Sequence, residues 1–218
     1  MRDLIEQEKF ELEVLNELKS ARILDHLIFG GGTMLRLCFG LNRYSIDLDF
    51  WLTERTNTGT LFENIEKCLS SAYKITDSAD KFNTLIFEIK SQRYPRKLKI
   101  EIRKELKNIT IMPAIAYSPS DNLQVYVKVV SLQDMMTSKI AAFLDRREIR
   151  DVFDIEFLLK KGVSLQASRE DMIKIKTGLE GLSNFDYKVK LGSLLEEKDR
   201  VYYNNNNFRI LLSAIEKV

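Results

Sequence analysis

FGGGTMLRLCFGLNRYSIDLDFW, from Phe29 to Trp51, is the stretch that decides the fold. It opens on Gly30, Gly31 and Gly32, continues through Thr33, Arg36 and Arg43, and closes on Asp47 and Asp49. Glycines let a backbone approach a phosphate closely, because they carry no Cβ and tolerate positive φ. A helix starting there turns its unpaired N–H groups and the positive end of its dipole towards an anion. Asp47 and Asp49, two apart on a strand, project from one face, while Ile46, Leu48 and Phe50 turn the other way into a core. A pair of carboxylates beside a phosphate cradle suits Mg²⁺, which commonly takes one or two carboxylates together with substrate phosphates. Mn²⁺ in its place would use the same oxygens.

The spacing outward from this stretch predicts a helix over 3–22, a short strand Leu27–Phe29, and a helix Thr33–Phe39 with Thr33 as cap and Gly40 as terminator. It further predicts a strand Ser45–Leu52, a turn Asn57–Gly59 and a helix Leu61–Ala72. Thr84–Lys90 and Lys97–Arg103 alternate as two strands of a hairpin, Pro113 and Pro119 bracket a loop, and Gln124–Val130 is another strand. From Ser131 the chain reads as helical over Leu132–Asp145, Ile149–Lys160, Ser168–Glu180, Tyr187–Glu197 and Phe208–Val218. The expected division is an α/β core over 1–130 and a C-terminal helical domain over 131–218.

Two further clusters carry chemistry. On Lys97–Arg103, Glu101 is the one acid among bases on the outward face. If that strand lies beside the aspartate strand, Glu101 completes a three-carboxylate metal site; the alternative is a surface glutamate paired with Lys99 or Arg103. Lys139 stands in an apolar helical run, suited to a phosphate as a point charge. Arg146, Arg147 and Arg150 crowd the end of that helix, and Asp151 and Asp154 share one face of the next. A salt-bridged helix corner would account for the arginines equally well.

Composition narrows the classes. The chain has 218 residues, 44% hydrophobic and 30% charged, with a formal net charge of +2. From Lys81 to Lys107, nine Lys/Arg face three Glu, a local excess that fits a nucleotide or nucleic-acid substrate or, alternatively, a solvated edge strand. Cys38 and Cys68 form no paired motif, and the single histidine, His26, argues against serine-type triads and two-histidine zinc sites. No signal peptide or bilayer-spanning run stands out, so a cytoplasmic protein with no membrane role is expected.

These blocks resemble the AbiEii/AbiGii-type nucleotidyltransferase toxins, a branch of the nucleotidyltransferase superfamily with a DNA-polymerase-β-like minimal fold. The resemblance rests on Gly31-Gly32-Thr33 with Leu35 and Arg36, on Arg43 to Phe50, on Lys139 to Ala142 and on Arg150 to Ile155. It implies an α+β fold with a mixed sheet flanked by helices, followed by a helical part. It implies nucleotidyl transfer from a nucleoside triphosphate lying over Gly31, Gly32 and Thr33 and near Arg36, Arg43 and Lys139. Asp47 and Asp49, with Glu101 as third carboxylate where relatives carry Asp, would hold the metal; Asp151 and Asp154 would support Lys139 or the arginines. The acceptor implied is an RNA or tRNA 3′ end, and the setting a toxin–antitoxin or phage-defence system with a separately encoded antitoxin. Transfer to a protein side chain, or a non-catalytic module that binds nucleotide or RNA, are the alternatives.

Overall fold

A computed structural model describes residues 2–216; position 1 and the last two positions of the expected helix Phe208–Val218 lie outside them. The chain gathers into two compact units. The first runs through Gly40 and resumes over Tyr44–Val130; the second is Leu41–Arg43 with the chain from Ser131 onward.

The first unit is built on one seven-stranded mixed sheet, in the order β3-β4-β5-β2-β1-β7-β6. Its strands are β1 (Leu27–Gly30), β2 (Asp47–Leu52), β3 (Lys74–Asp80), β4 (Thr84–Lys90), β5 (Leu98–Arg103), β6 (Ile111–Tyr117) and β7 (Gln124–Val130). β2 pairs antiparallel with β1 and parallel with β5; β1 and β7 are also parallel. The helices are α1 (Arg2–Ser20), α2 (Gly31–Phe39) and α3 (Thr58–Ala72). Leu48 on β2, Ile100 on β5 and Phe87 on β4 stand side by side in register and are buried. Phe62 of α3 stacks on Phe87 at 4.8 Å between centroids, which identifies this as the helix-covered face. Period-two alternation therefore sends Asp47, Asp49 and Glu101 to the opposite face.

Several sequence expectations are corrected. α1 ends at Ser20, and a 3-10 turn over Ile23–His26 follows Arg22 at φ 61°. Asn57 is the cap of α3 and accepts from the Thr60 N–H, so Asn57–Gly59 begins a helix where a turn was expected. β3 was not foreseen: Lys74–Asp80 is mostly polar, and only its pairing with β4 makes it a strand. The expected loop at Pro113 is strand β6, at the edge of the sheet, where proline's missing N–H costs no ladder bond on the outer side.

The second unit is helical: α4 (Leu132–Arg146), α5 (Ile149–Lys160), α6 (Arg169–Glu180), α7 (Glu197–Asn206) and α8 (Arg209–Glu216). Ser131 caps α4 and Ser168 caps α6, each accepting from the N–H three residues on. The expected helix Tyr187–Glu197 is a π-turn over Asp186–Leu191 and a 3-10 turn over Gly192–Leu194, after which α7 begins. Phe143, Phe153, Leu158, Tyr203 and Phe208 are among its buried core. Glu156, also buried, accepts from the Tyr203 hydroxyl at 3.0 Å and from the Leu211 N–H at 3.1 Å, which holds α5 to the last two helices. Among the described residues, no helix is long and apolar enough to cross a membrane.

Candidate active site

The site starts where β1 runs into α2. Gly31 has φ 74°, in the left-handed region, and a Cβ there would collide with the Asp49 carboxylate. Gly30 meets Trp51 in the same way: a Cβ would enter the indole ring. The glycine turn thus lies directly against alternate side chains of β2. α2 has no side-chain cap, because Gly30 occupies the capping position, so its first N–H groups have no local acceptor from that residue.

Thr33 is not the cap expected from the sequence. It lies inside α2, fully buried, and its hydroxyl donates to the Asp47 carbonyl at 2.6 Å. That bond fastens the glycine helix to the aspartate strand.

Asp47 and Asp49 are half-buried, and the parallel register sets Lys99 beside Asp47, Glu101 beside Asp49 and Arg103 beside Trp51. Glu101 takes an ion pair from Lys99 at 2.7 Å and a longer one from Arg103 at 3.8 Å. A hydrogen bond to Glu101 raises the Lys99 pKa; the fields of Glu101, Asp47 and Asp49 add to it and outweigh partial burial. All three carboxylates act on this one ammonium. Among the described residues no three His, Cys, Asp or Glu side chains form a ready-made metal cluster. A donor set whose chemistry would fit Mg²⁺ is the Asp47/Asp49 pair, hard oxygens on one face against a turn where a Cβ would not fit.

α1 contributes groups that the sequence reading passed over. Glu8 pairs with Arg36 and accepts from the Ser118 hydroxyl, while the Arg36 guanidinium lies 3.8 Å from the centroid of the Tyr44 ring. Arg36 is thereby oriented by a carboxylate and an aromatic plane. Glu11, one turn along, is fully buried, and among the described residues neither of its oxygens has a hydrogen-bond partner. Burial first, then the charge of Glu8, pushes its pKa well above the usual carboxylate value. The signal was available: Leu4, Glu8, Glu11 and Leu15 share one helical face, so two acids occupy apolar positions.

The second unit holds the remaining predicted residues in one buried network. Asp154 takes two hydrogen bonds from Arg43, both 2.7 Å, and a third contact from Lys139 at 2.6 Å. Lys139 also lies 3.6 Å from Asp151, which accepts a two-pronged bond from Arg146 at 2.7 and 2.6 Å. Burial alone would raise the Asp154 pKa; Arg43 and Lys139 overcome it and hold the carboxyl below its ordinary value. Asp151 and Asp154 set the positions of Arg43 and Lys139.

The sequence profile of a family described as "Nucleotidyl transferase AbiEii toxin, Type IV TA system" matches residues 13–181. Among solved structures, JHP933 from Helicobacter pylori is similar in fold, with a TM-score of 0.54, 19% identity and 94% of each chain covered. A putative nucleotidyltransferase from H. pylori is similar at a TM-score of 0.54 and 18% identity, covering 94% of this chain and 97% of that one. No curated protein matches the chain by sequence.

Proposed function

This chain belongs to the AbiEii nucleotidyl transferase toxin family of type IV toxin–antitoxin systems, and from that membership we propose that it moves a nucleoside monophosphate from a triphosphate to an acceptor hydroxyl at an RNA end. The observation that carries the reading is the contact of the Asp49 carboxylate with the Gly31 turn, with Asp47 on the same face of β2. A phosphate cradle and a cation-binding carboxylate pair at one place suit phosphoryl chemistry, which asks for positioning and charge neutralisation.

In this proposal the triphosphate lies over the N–H groups of Gly31 and Gly32, at the start of α2. Thr33 contributes through its bond to the Asp47 carbonyl. Arg36, oriented by Glu8 and Tyr44, supplies positive charge for the phosphates. Asp47 and Asp49 hold Mg²⁺, or Mn²⁺ in its place, which when bound lowers the charge on the reacting phosphate and stabilises the leaving oxygen. The acceptor oxygen attacks the α-phosphorus, the bond to the β-phosphate oxygen breaks, pyrophosphate leaves, and the hydroxyl proton passes to Glu101 beside Asp49. The partners are a nucleoside triphosphate, the RNA acceptor and an antitoxin.

The test is transfer of labelled nucleotide from each of the four triphosphates into total RNA, with Mg²⁺. Asp49→Asn is expected to lower transfer about 100-fold or more while the thermal melt stays near wild type. Wild-type transfer by this variant would end the proposal, and label entering protein instead of RNA would change the acceptor.

A further inference from the structure

The open face of the sheet does not stop at the carboxylates. Trp51 follows Asp49 two residues along β2 and pairs in register with Arg103 on β5, which pairs with Thr84 on β4. Thr84 closes the β3–β4 turn, where the Lys81 N–H bonds the Thr84 carbonyl at 2.9 Å. At the tip of that turn stands Phe82, 94% exposed. The chain after β5 runs alongside, its Lys104 N–H bonding the Asn83 carbonyl at 2.9 Å.

Phe82 serves neither core nor turn. It packs on nothing, and turns of this kind are made by Gly, Asn, Asp, Pro and Ser for reasons phenylalanine does not share. Around it the charge is mostly positive. Lys81, Arg103 and Lys107 are exposed and Lys104 is half-buried, against Asp80, which pairs with Lys104, and Glu105, which pairs with Lys107. Arg103 and Lys107 both lie over the Trp51 ring, each 5.7 Å from its centroid. A basic strip thus continues from the indole against the glycine turn to an unpartnered aromatic. Two strands over and four residues along from Asp49, Phe82 stands about 16 Å from it, a reach of a few nucleotides.

We propose that the β3–β4 tip and the end of β5 form the acceptor platform. A single-stranded RNA end crosses this face with its phosphates on Lys81, Arg103, Lys104 and Lys107, and stacks a base on Phe82 before its terminal hydroxyl reaches the carboxylates. Stacking on one ring with phosphates along lysines and arginines is how single strands are held without sequence preference, and a duplex hides the base faces the ring needs. An acidic protein segment would use the cations but has no planar groups for Phe82. The inference rests on the proposed transfer to RNA and names the surface that presents the acceptor.

The test uses the full chain and a short fluorescein-labelled single-stranded RNA of mixed sequence, read by anisotropy. Phe82→Ala is expected to weaken binding about tenfold or more, Phe82→Tyr to restore it, and the matching duplex to bind less well. Replacing Lys81 and Lys107 together by Gln is expected to lower the salt slope of binding by about 1.4, from about 0.7 per phosphate contact. Equal affinity of Phe82→Ala and wild type, an unchanged salt slope, or a polyglutamate peptide bound more tightly than the RNA would overturn the platform. Trp51 is the one tryptophan in the chain, and its emission on titration with each triphosphate reports the glycine turn separately. A triphosphate response without Phe82-dependent RNA binding defeats the platform and leaves nucleotidyl transfer standing. Phe82-dependent RNA binding with no triphosphate response keeps the RNA-binding surface, defeats the reading of transfer and with it the surface's role as acceptor platform.

Discussion

Glu11 and Gly31 show how single residues bear on the site in opposite ways. Gly31 joins a left-handed backbone to direct contact with a carboxylate, and no L side chain meets both demands. Glu11 is a buried carboxyl with no hydrogen-bond partner among the described residues on either oxygen, a costly group in a mostly apolar core. With its pKa raised by burial and Glu8, its contribution to stability is full below the unfolded carboxyl value and is lost as pH rises towards the folded value. Glu11→Met, similar in volume and apolar, is expected to raise stability at neutral and alkaline pH by about 1–3 kcal/mol and to flatten that part of the profile. Urea midpoints measured across pH would show it; a variant less stable than wild type at every pH would mean Glu11 has a partner in the folded protein.

Between elements, the decisive join is α2 to β2. The Thr33 hydroxyl is fully buried and Asp47 half-buried, so removing the donor takes a partly desolvated hydrogen bond from the join. Thr33→Val keeps the volume and is expected to cost about 1–3 kcal/mol of stability. It should lower nucleotide transfer more than a stability loss alone explains, because Asp47 then loses its anchor to the glycine helix. Chemical denaturation together with transfer at a temperature where both proteins are folded separates the two effects, and unaltered transfer by a folded variant would assign the bond to stability alone. β3 and β6 make the complementary point about legibility. Lys74–Asp80 carries weak strand signals and Pro113 a strong loop signal, yet each is a strand because a neighbour pairs with it. The partner is the next strand along the chain in both cases, and it is the ladder to that neighbour, not the segment's own residue pattern, that makes each a strand.

At the scale of the whole molecule, the second unit is organised around buried charge. Asp154 holds both Arg43, drawn from the segment between α2 and β2 in the sequence, and Lys139 of α4. Its folded pKa is depressed, so its stabilisation is present above the unfolded carboxyl value and is lost as pH falls below about 4. Asp154→Asn removes the buried charge that Arg43 and Lys139 share and is expected to cost about 3–5 kcal/mol, with a shallower loss of stability in acid than wild type. Thermal melts from neutral to acid pH check both, and an unchanged melting temperature at neutral pH would show the pair to be screened.

The glycine turn, the strand carrying Asp47 and Asp49, the helical second part and the family were all legible in the chain, because close backbone approach, period-two alternation and helical spacing are local and leave marks within a few residues. Tertiary structure alone decided that β5 lies parallel to β2 with Glu101 beside Asp49, that the Thr33 hydroxyl is bound to the Asp47 carbonyl, that α1 lends Glu8 to Arg36, and that Asp154 gathers Arg43 and Lys139. Each of these joins residues far apart along the chain. Packing and electrostatics select such partners only once the fold has closed, and a charged side chain carries no mark in the sequence of which opposite charge will reach it.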